Sequence, residues 1–148
     1  MKPKEVLLWS IAFPGFGQIL NGQNLKGILF IVLEILINVQ ANFNIIIISS
    51  FLGEVDKAVK QTNYLWLMFY PCVYFFAMWD AYKEAGGGKK PYSFLPFVFC
   101  AYMVTIGVIF SSKMTFFGIL LGPVWLPMFM VIPGLIVGFV LQKTLTAR

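Results

Sequence analysis

The sequence predicts an all-α integral membrane protein, in which a re-entrant or short interfacial N-terminal hairpin precedes four transmembrane helices. Hydrophobic residues make up 59% of the chain and charged residues only 11%. A typical soluble domain has about 25% charged residues, so this chain has too few to cover a water-facing surface. Several apolar runs also approach the roughly 20 residues that cross a bilayer. The 148 residues suffice for one domain.

The first element is a predicted hairpin over residues 1–26. Its apolar tract, residues 6–20, is at the short limit for a span, and Pro14-Gly15 interrupts it. Proline removes a helix hydrogen bond and clashes with the preceding turn. The N-terminus superficially resembles a signal peptide, but no A-x-A cleavage site follows, so we expect the segment to be retained. The hairpin therefore either dips into the membrane and returns or lies at its surface.

Four apolar runs follow the hairpin and predict the transmembrane helices. They cover residues 27–48, 64–82, 92–111 and 123–142. Between the first two, residues 49–63 form a predicted external interfacial segment, because apolar and charged side chains fall on opposite faces of a short helix. Residues 113–121 are predicted to lie on the same surface in the same way. The whole chain is thus one polytopic domain.

Basic residues orient the predicted helices. If residues 6–20 cross the membrane, the 11 basic residues divide five to six, which gives no preference. If that tract returns, eight basic residues share one side and three share the other, and the positive-inside rule then makes the eight cytoplasmic. The eight are Lys2, Lys4, Lys26, Lys83, Lys89, Lys90, Lys143 and Arg148; the three are Lys57, Lys60 and Lys113. Both termini are therefore predicted to be cytoplasmic.

The passage PGFGQILNGQNLKG, residues 14–27, is a candidate structural motif. Its backbone polar groups cannot face lipid unpaired, so they must meet other helices or interfacial water. Glycines permit close approach and unusual torsions, and side-chain amides can supply the missing hydrogen bonds. The motif residues are Pro14, Gly15, Gly17, Gln18, Asn21, Gly22 and Gly27.

This motif, followed by an apolar span and by WDAYKEA at residues 79–85, resembles the two-transmembrane domain family, especially its bacterial PGxGQ relatives. The resemblance covers roughly residues 1–85. It implies a small membrane domain without an established set of catalytic residues, and its bacterial character implies the plasma membrane. The longer connection at residues 49–63 and the last two spans depart from the family pattern. In this context Asp80 is predicted to anchor the turn, through Lys26 or the turn amides; the alternative is an interfacial acid balanced by Lys83.

Glu34 is the acid well inside an apolar run, and Asn38 and Asn42 follow at four-residue steps on the same helical face. Such a polar stripe should face the bundle interior or water. One interpretation is an ion, proton or solute path with Glu34 as the titrating group. The other, which we favour, is a structural network in which a protonated Glu34 and the asparagines bond neighbouring helices.

The predicted function is that of a small non-catalytic accessory, scaffold or regulatory membrane component. The chain has no histidine, no CxxC and no nucleotide-loop, HExxH or GxSxG motif. We therefore predict no catalytic residue, metal or cofactor. The net charge of +5 fits cytoplasmic loops rather than nucleic acid. Expected partners are the bilayer and a membrane protein or a second copy. The alternative is a small oligomeric transporter or channel; a lipid-modifying enzyme ranks third.

Overall fold

The computed structural model of the chain describes residues 2–147; Met1 and Arg148 lie outside the described residues, so Arg148 contributes to the topology count by sequence alone. The fold is all-α, because 75% of these residues are helical and a single short β ribbon accompanies the helices. In chain order the described elements are α1 (Pro3–Ala12), α2 (Phe16–Leu20), α3 (Asn24–Ala41), α4 (Phe43–Phe51), α5 (Val55–Gln61), α6 (Tyr64–Leu67), α7 (Tyr70–Glu84), α8 (Leu95–Phe110), β1 (Thr115–Phe116), β2 (Ile119–Leu120) and α9 (Gly122–Thr146).

Proline starts the helices that build the bundle. Pro3, Pro71, Pro96 and Pro123 each occupy the first turn of α1, α7, α8 and α9. A proline costs little there, since the first amide groups of a helix have no intrahelical partner and the fixed φ already suits the helix. The same residue type inside the tract at Pro14 ends α1, and the hairpin turn follows.

The run at residues 27–48, expected as one helix, is divided in the structure: the chain forms α3 and α4, which meet at Asn42. Asn42 has a φ of 59°, in the left-handed region that asparagine tolerates better than most residues. Its side chain donates a 2.9 Å hydrogen bond to the carbonyl of Gln61. The predicted helix at residues 64–82 is likewise divided, because Met68 and Phe69 form a turn between α6 and α7.

The external connections also differ from the prediction. Residues 113–121 form a hairpin rather than a surface helix, with Thr115 paired to Leu120. Phe117 and Gly118 have φ values of 51° and 80°, as a tight two-residue hairpin turn requires. The predicted short helix before residue 63 is present as α5, but its apolar face packs on the bundle: Ala58 is fully buried.

The backbones of α8 and α9 approach each other closely along their length, because glycines lie at the contacts. A Cβ on Gly107 would lie 2.9 Å from the Pro127 Cα, and one on Gly134 would lie 2.8 Å from the Cys100 Cα. A Cβ on Gly138 would overlap the Pro96 backbone in the same way. Small residues permit such approach between helices in membranes. We refer to these two helices as the α8–α9 pair.

Two of the described helices are long and apolar enough to cross a membrane, α3 and α9, which have 18 and 25 residues. The sequence predicts four. The difference arises because the turns at Asn42 and at Met68–Phe69 shorten the individual helices, and because α8, although apolar, has 16 residues. Among the described residues the fold therefore has two candidate membrane-spanning helices and one shorter apolar helix, α8.

Candidate functional site

The N-terminal hairpin, α1 with α2, lies against α7 through Gly17. A Cβ at Gly17 would overlap the Ser10 hydroxyl of α1 and would lie 2.7 Å from the Ala81 Cβ of α7. Ser10 and Ala81 are themselves fully buried. Three small residues thus let α1, α2 and α7 meet at nearly backbone distance, which is the packing that helices use inside membranes.

Gly15 and Gly27 form a second close contact, between the hairpin turn and the start of α3. Gly15 has a φ of 100°, which side chains disfavour, and a Cβ there would lie 2.5 Å from the Gly27 carbonyl oxygen. Gly22 differs, because its φ of 77° needs glycine although open space surrounds it. Pro14 is fully buried beside this contact. The motif glycines therefore set close packing at three positions and a turn conformation at the fourth.

The amides of the motif bond α7. Gln18, which is fully buried, donates from Nε2 to the Ala77 carbonyl at 2.8 Å and to Asp80 Oδ2 at 3.0 Å. Asn21 donates to the Ala81 carbonyl at 2.9 Å. These bonds join one face of the motif to the last two turns of α7. They satisfy polar groups that hydrocarbon could not.

Asp80 contacts Lys26 of the motif, the partner that the anchoring interpretation names. Lys26 Nζ lies 3.0 Å from Asp80 Oδ1, while Gln18 bonds the other carboxylate oxygen. The Asp80 side chain is 16% exposed and that of Lys26 is 38% exposed. The protein therefore shields the Asp80 carboxylate from solvent more than it shields the Lys26 ammonium group. Gln23 adds a parallel bond to Glu84 at 2.9 Å.

A double-mutant cycle on Lys26 and Asp80 tests this anchor. We expect Lys26→Met and Asp80→Asn to show a coupling of about 1 kcal/mol in unfolding experiments in detergent, because hydrogen bonds to charged groups are worth about 1.5–3 kcal/mol and solvent at Lys26 reduces that value. The matched control is the more exposed pair Lys57–Glu54, at 57% and 46% exposure, whose cycle should give about 0.3 kcal/mol. Equal coupling in the two cycles would contradict an anchoring role for Asp80.

Glu34 occupies a separate, buried position in α3. The residue is 4% exposed and lies close to the phenol groups of Tyr70 and Tyr74 of α7. Its Oε2 atom is buried and has no hydrogen-bond partner among the described residues. Tyr74 donates its own hydroxyl to the Ile11 carbonyl at 2.7 Å, so it also ties α7 to the end of α1.

The structure does not join Glu34, Asn38 and Asn42 into one polar face. Asn38 bonds Asn44 at 3.1 Å, and Asn42 bonds the Gln61 carbonyl. The end of α3 at Ala41 takes Asn42 out of the helical spacing, while Asn38, which is still within α3, is half-buried and bonds beyond the helix end. Glu34 alone of the three is buried, so the candidate intramembrane site is reduced to that carboxyl and its tyrosine neighbours.

Several contacts of the site are not apparent from sequence reasoning. Ser10 and Tyr74 belong to no motif that the sequence shows, although Ser10 packs against Gly17 of α2 and Tyr74 bonds the Ile11 carbonyl of α1. The sequence gives a weak indication of the Gln23–Glu84 bond, because Gln23 lies within the motif and Glu84 lies within WDAYKEA. Within residues 2–147, no group of three side chains of the metal-ligating types is close enough to hold a metal ion.

Comparison of the chain with models of known protein families gives no match, and neither the curated proteins nor the solved structures match it. The likeness to the two-transmembrane domain family therefore stays a prediction from its motifs. The geometry by itself defines the class of molecule: an all-α bundle whose glycine-rich N-terminal hairpin is bonded to α7.

Proposed function

We propose that the chain is a multi-pass protein of the plasma membrane, with spans at residues 27–48, 64–82, 92–111 and 123–142. The outward faces of the helices support this proposal, because large apolar side chains in mid-helix positions are exposed. Val32 of α3 is 54% exposed and Phe129 of α9 is 53% exposed. Contiguous apolar surface on this scale is rare on soluble monomers. Turns within two of the spans are compatible with a membrane where they pack against protein.

The placement of the charges supports a cytoplasmic hairpin. Lys2 and Lys4 line the same groove as Lys89, Lys90 and Lys143, so the start of the chain and the end of α9 lie at one end of the bundle. Val55 and Val59 of α5 contact the position of Gly122, at the start of α9. Residues 122 and 143 are roughly 32 Å apart along a helix, close to the roughly 30 Å core of a bilayer.

Cysteine labelling tests this topology. In a variant without the native cysteines, Cys72 and Cys100, we expect Lys89→Cys to react with an impermeant maleimide only after the cytoplasmic side is exposed. Lys57→Cys should react from outside in intact cells. The reason is the eight-to-three division of basic residues. Labelling of both positions from one side would show that the proposed spans are wrong.

Within the membrane, the function that the geometry supports best is a non-catalytic accessory, scaffold or regulatory role. The observation that carries this proposal is the use of the motif's polar side chains. Gln18, Asn21 and Lys26 all bond α7, so the motif holds the fold together rather than facing a substrate. The exposed apolar faces of α3 and α9 remain available for lipid, for a second copy or for another membrane protein.

A second candidate, a small oligomeric transporter or channel, is favoured by one observation: Glu34 places a carboxylate oxygen without a hydrogen-bond partner inside the bundle. Buried ionisable groups in membranes often mark ion or proton pathways. Two measurements separate the candidates. An accessory protein should co-purify with a larger membrane protein or with itself after mild-detergent extraction from cross-linked cells. A transporter should produce proton or ion flux in liposomes that hold the purified chain alone.

A further inference from the structure

A large groove lies between α1 and α9 at the end of the bundle that carries the chain's N-terminus. Its volume is about 1490 Å³, and α7 and α8 form its floor. Leu7 and Ile11 line it from α1, and Leu135 and Phe139 line it from α9. Pockets for small ligands have volumes of about 300–1,000 Å³. This groove, which we call the α1–α9 groove, is larger and is apolar over most of its length.

The mouth of the groove is strongly basic. Five lysines from three separate parts of the chain lie along it: Lys2, Lys4, Lys89, Lys90 and Lys143. Among the described lining residues, none has an acidic side chain. An anionic group at the mouth would therefore be attracted by charges that converge from α1, α9 and the loop between α7 and α8. The groove thus joins an apolar interior to a positively charged opening.

The loop that carries two of these lysines is held to its neighbours. Gln142 of α9 donates to the Pro91 carbonyl at 3.3 Å and to the Ser93 hydroxyl at 3.4 Å. The Gly87 amide donates to the Tyr82 carbonyl at 2.9 Å. Both ends of the loop are therefore tied down beside the groove. A preformed charged site has less ordering entropy to lose when it binds an anion.

The depth of the groove fits one leaflet of a bilayer. On α9 the lining runs from Val131 to Ala147, and the part from Val131 to Lys143 at the mouth corresponds to roughly 18 Å along a helix. Half of the hydrocarbon core of a bilayer is about 15 Å. An occupant with an anionic head at the lysines would thus place a chain of one leaflet's length against the apolar walls.

We propose that the α1–α9 groove binds one anionic phospholipid of the cytoplasmic leaflet. Its phosphate lies among Lys89, Lys90 and Lys143, and an acyl chain runs along Leu135 and Phe139 toward Cys100. The complementary charge of the mouth and the apolar character of the walls together select this amphiphile over a free anion or a zwitterionic lipid. The inference rests on the proposed insertion of the chain in the membrane.

The test is native mass spectrometry of the delipidated full chain in detergent, after incubation with equal amounts of phosphatidylglycerol and phosphatidylcholine of identical acyl chains. We expect one phosphatidylglycerol to bind at least tenfold more strongly than phosphatidylcholine. Glycerol 3-phosphate in excess should not displace it, because it lacks the chains that the walls contact. Equal retention of the two lipids, or displacement by glycerol 3-phosphate, would overturn the proposal.

Two pairs of variants locate the site. The triple variant Lys89→Gln/Lys90→Gln/Lys143→Gln should lose the tenfold preference, whereas Lys57→Gln/Lys60→Gln/Lys113→Gln, with the same change of charge at the other end, should keep it.

Leu135→Trp should fill the groove and lower binding of both lipids at least fivefold, whereas the neighbouring Ile136→Trp, which is 58% exposed and outside the groove, should not. The same loss in a control as in its partner would overturn the assignment.

Failure of the membrane proposal is recognised separately. If alkaline carbonate releases the chain from cell membranes, the proposed insertion is wrong and the lipid site fails with it. If the chain stays in the membrane fraction but shows no lipid preference, the lipid site alone is wrong. The lysine variants keep the measurement valid even if Leu135→Trp fails to fold, since the substituted lysines are surface residues.

Discussion

Substitution of Gly17 by valine should lower the folded yield and thermal stability of the protein in detergent more than substitution at the neighbouring motif glycine Gly22. A Cβ at Gly17 already overlaps the Ser10 hydroxyl and lies 2.7 Å from the Ala81 Cβ. Valine adds two methyl groups to this contact, and overpacking costs about 1–3 kcal/mol, occasionally more. Either the hairpin separates from α7, or Ser10 and Ala81 must move. Size-exclusion chromatography and a thermal melt measure the outcome.

Two further variants separate a steric cause from a general effect of changing the motif. Gly22→Asn should be tolerated, because open space surrounds Gly22 and asparagine can adopt its positive φ. The variant Gly17→Ala should be destabilised less than Gly17→Val, and adding Ala81→Gly should recover part of the loss by removing one of the overlapping atoms. Wild-type stability of Gly17→Val would show that the hairpin does not pack on α7 as described.

The second large effect concerns Glu34, because it separates the two proposed functions. In a structural role, Glu34→Gln should be tolerated, since glutamine retains a donor and an acceptor beside Tyr70. Glu34→Leu should be destabilised by about 1–3 kcal/mol, because an apolar side chain would replace the polar group that lies beside the phenols of Tyr70 and Tyr74. Interhelical hydrogen bonds in membranes average about 0.6 kcal/mol, so we expect the decrease in the free energy of unfolding to lie at the low end of that range. Thermal unfolding in detergent measures both variants.

In a transport role the ranking of the two variants changes. Glutamine cannot titrate, so a folded Glu34→Gln protein would lose flux or its cellular phenotype while retaining stability. That result would overturn the structural interpretation and favour an ion or proton path. The controls are Glu54→Gln and Glu54→Leu at an exposed acid at the N-terminal end of α5, which should lower stability by no more than about 0.3 kcal/mol and leave activity unchanged.

The sequence predicts the all-α class and the extent of α9, since a long apolar run with proline in its first turn leaves few alternatives. It does not predict the turn at Asn42. The run from 27 to 48 has no proline or glycine after its first residue, and the bond that Asn42 makes where α3 ends is a tertiary one, to the Gln61 carbonyl. The hairpin at residues 115–120 is missed for a related reason: the left-handed φ of Phe117 is unusual for an aromatic residue.

Prediction of the site succeeds where one residue can reach one partner. Asp80 and Lys26 follow from the order of two motifs, and the structure places them 3.0 Å apart. The stripe of Glu34, Asn38 and Asn42 assumes that helical spacing continues, and it fails where α3 ends at Ala41. The α1–α9 groove also escapes prediction. Lysine counting places its five basic residues on one side, but only the packing of α1 beside α9 brings them to one opening.

The close backbone contact within the α8–α9 pair fixes one wall of the groove. Glycines lie at the contacts between the two helices, at Gly107, Gly134 and Gly138, so a change of the angle between the helices would bring backbone atoms into overlap. The pair is therefore a rigid unit, and Pro127 inside α9 lies against Gly107 of α8. On the opposite side of the groove, α1 is held by the contacts of Ser10 and Gly17 and by the bond from Tyr74 to Ile11. Both walls are thus positioned by contacts outside the groove, and its width is a property of the bundle rather than of an occupant.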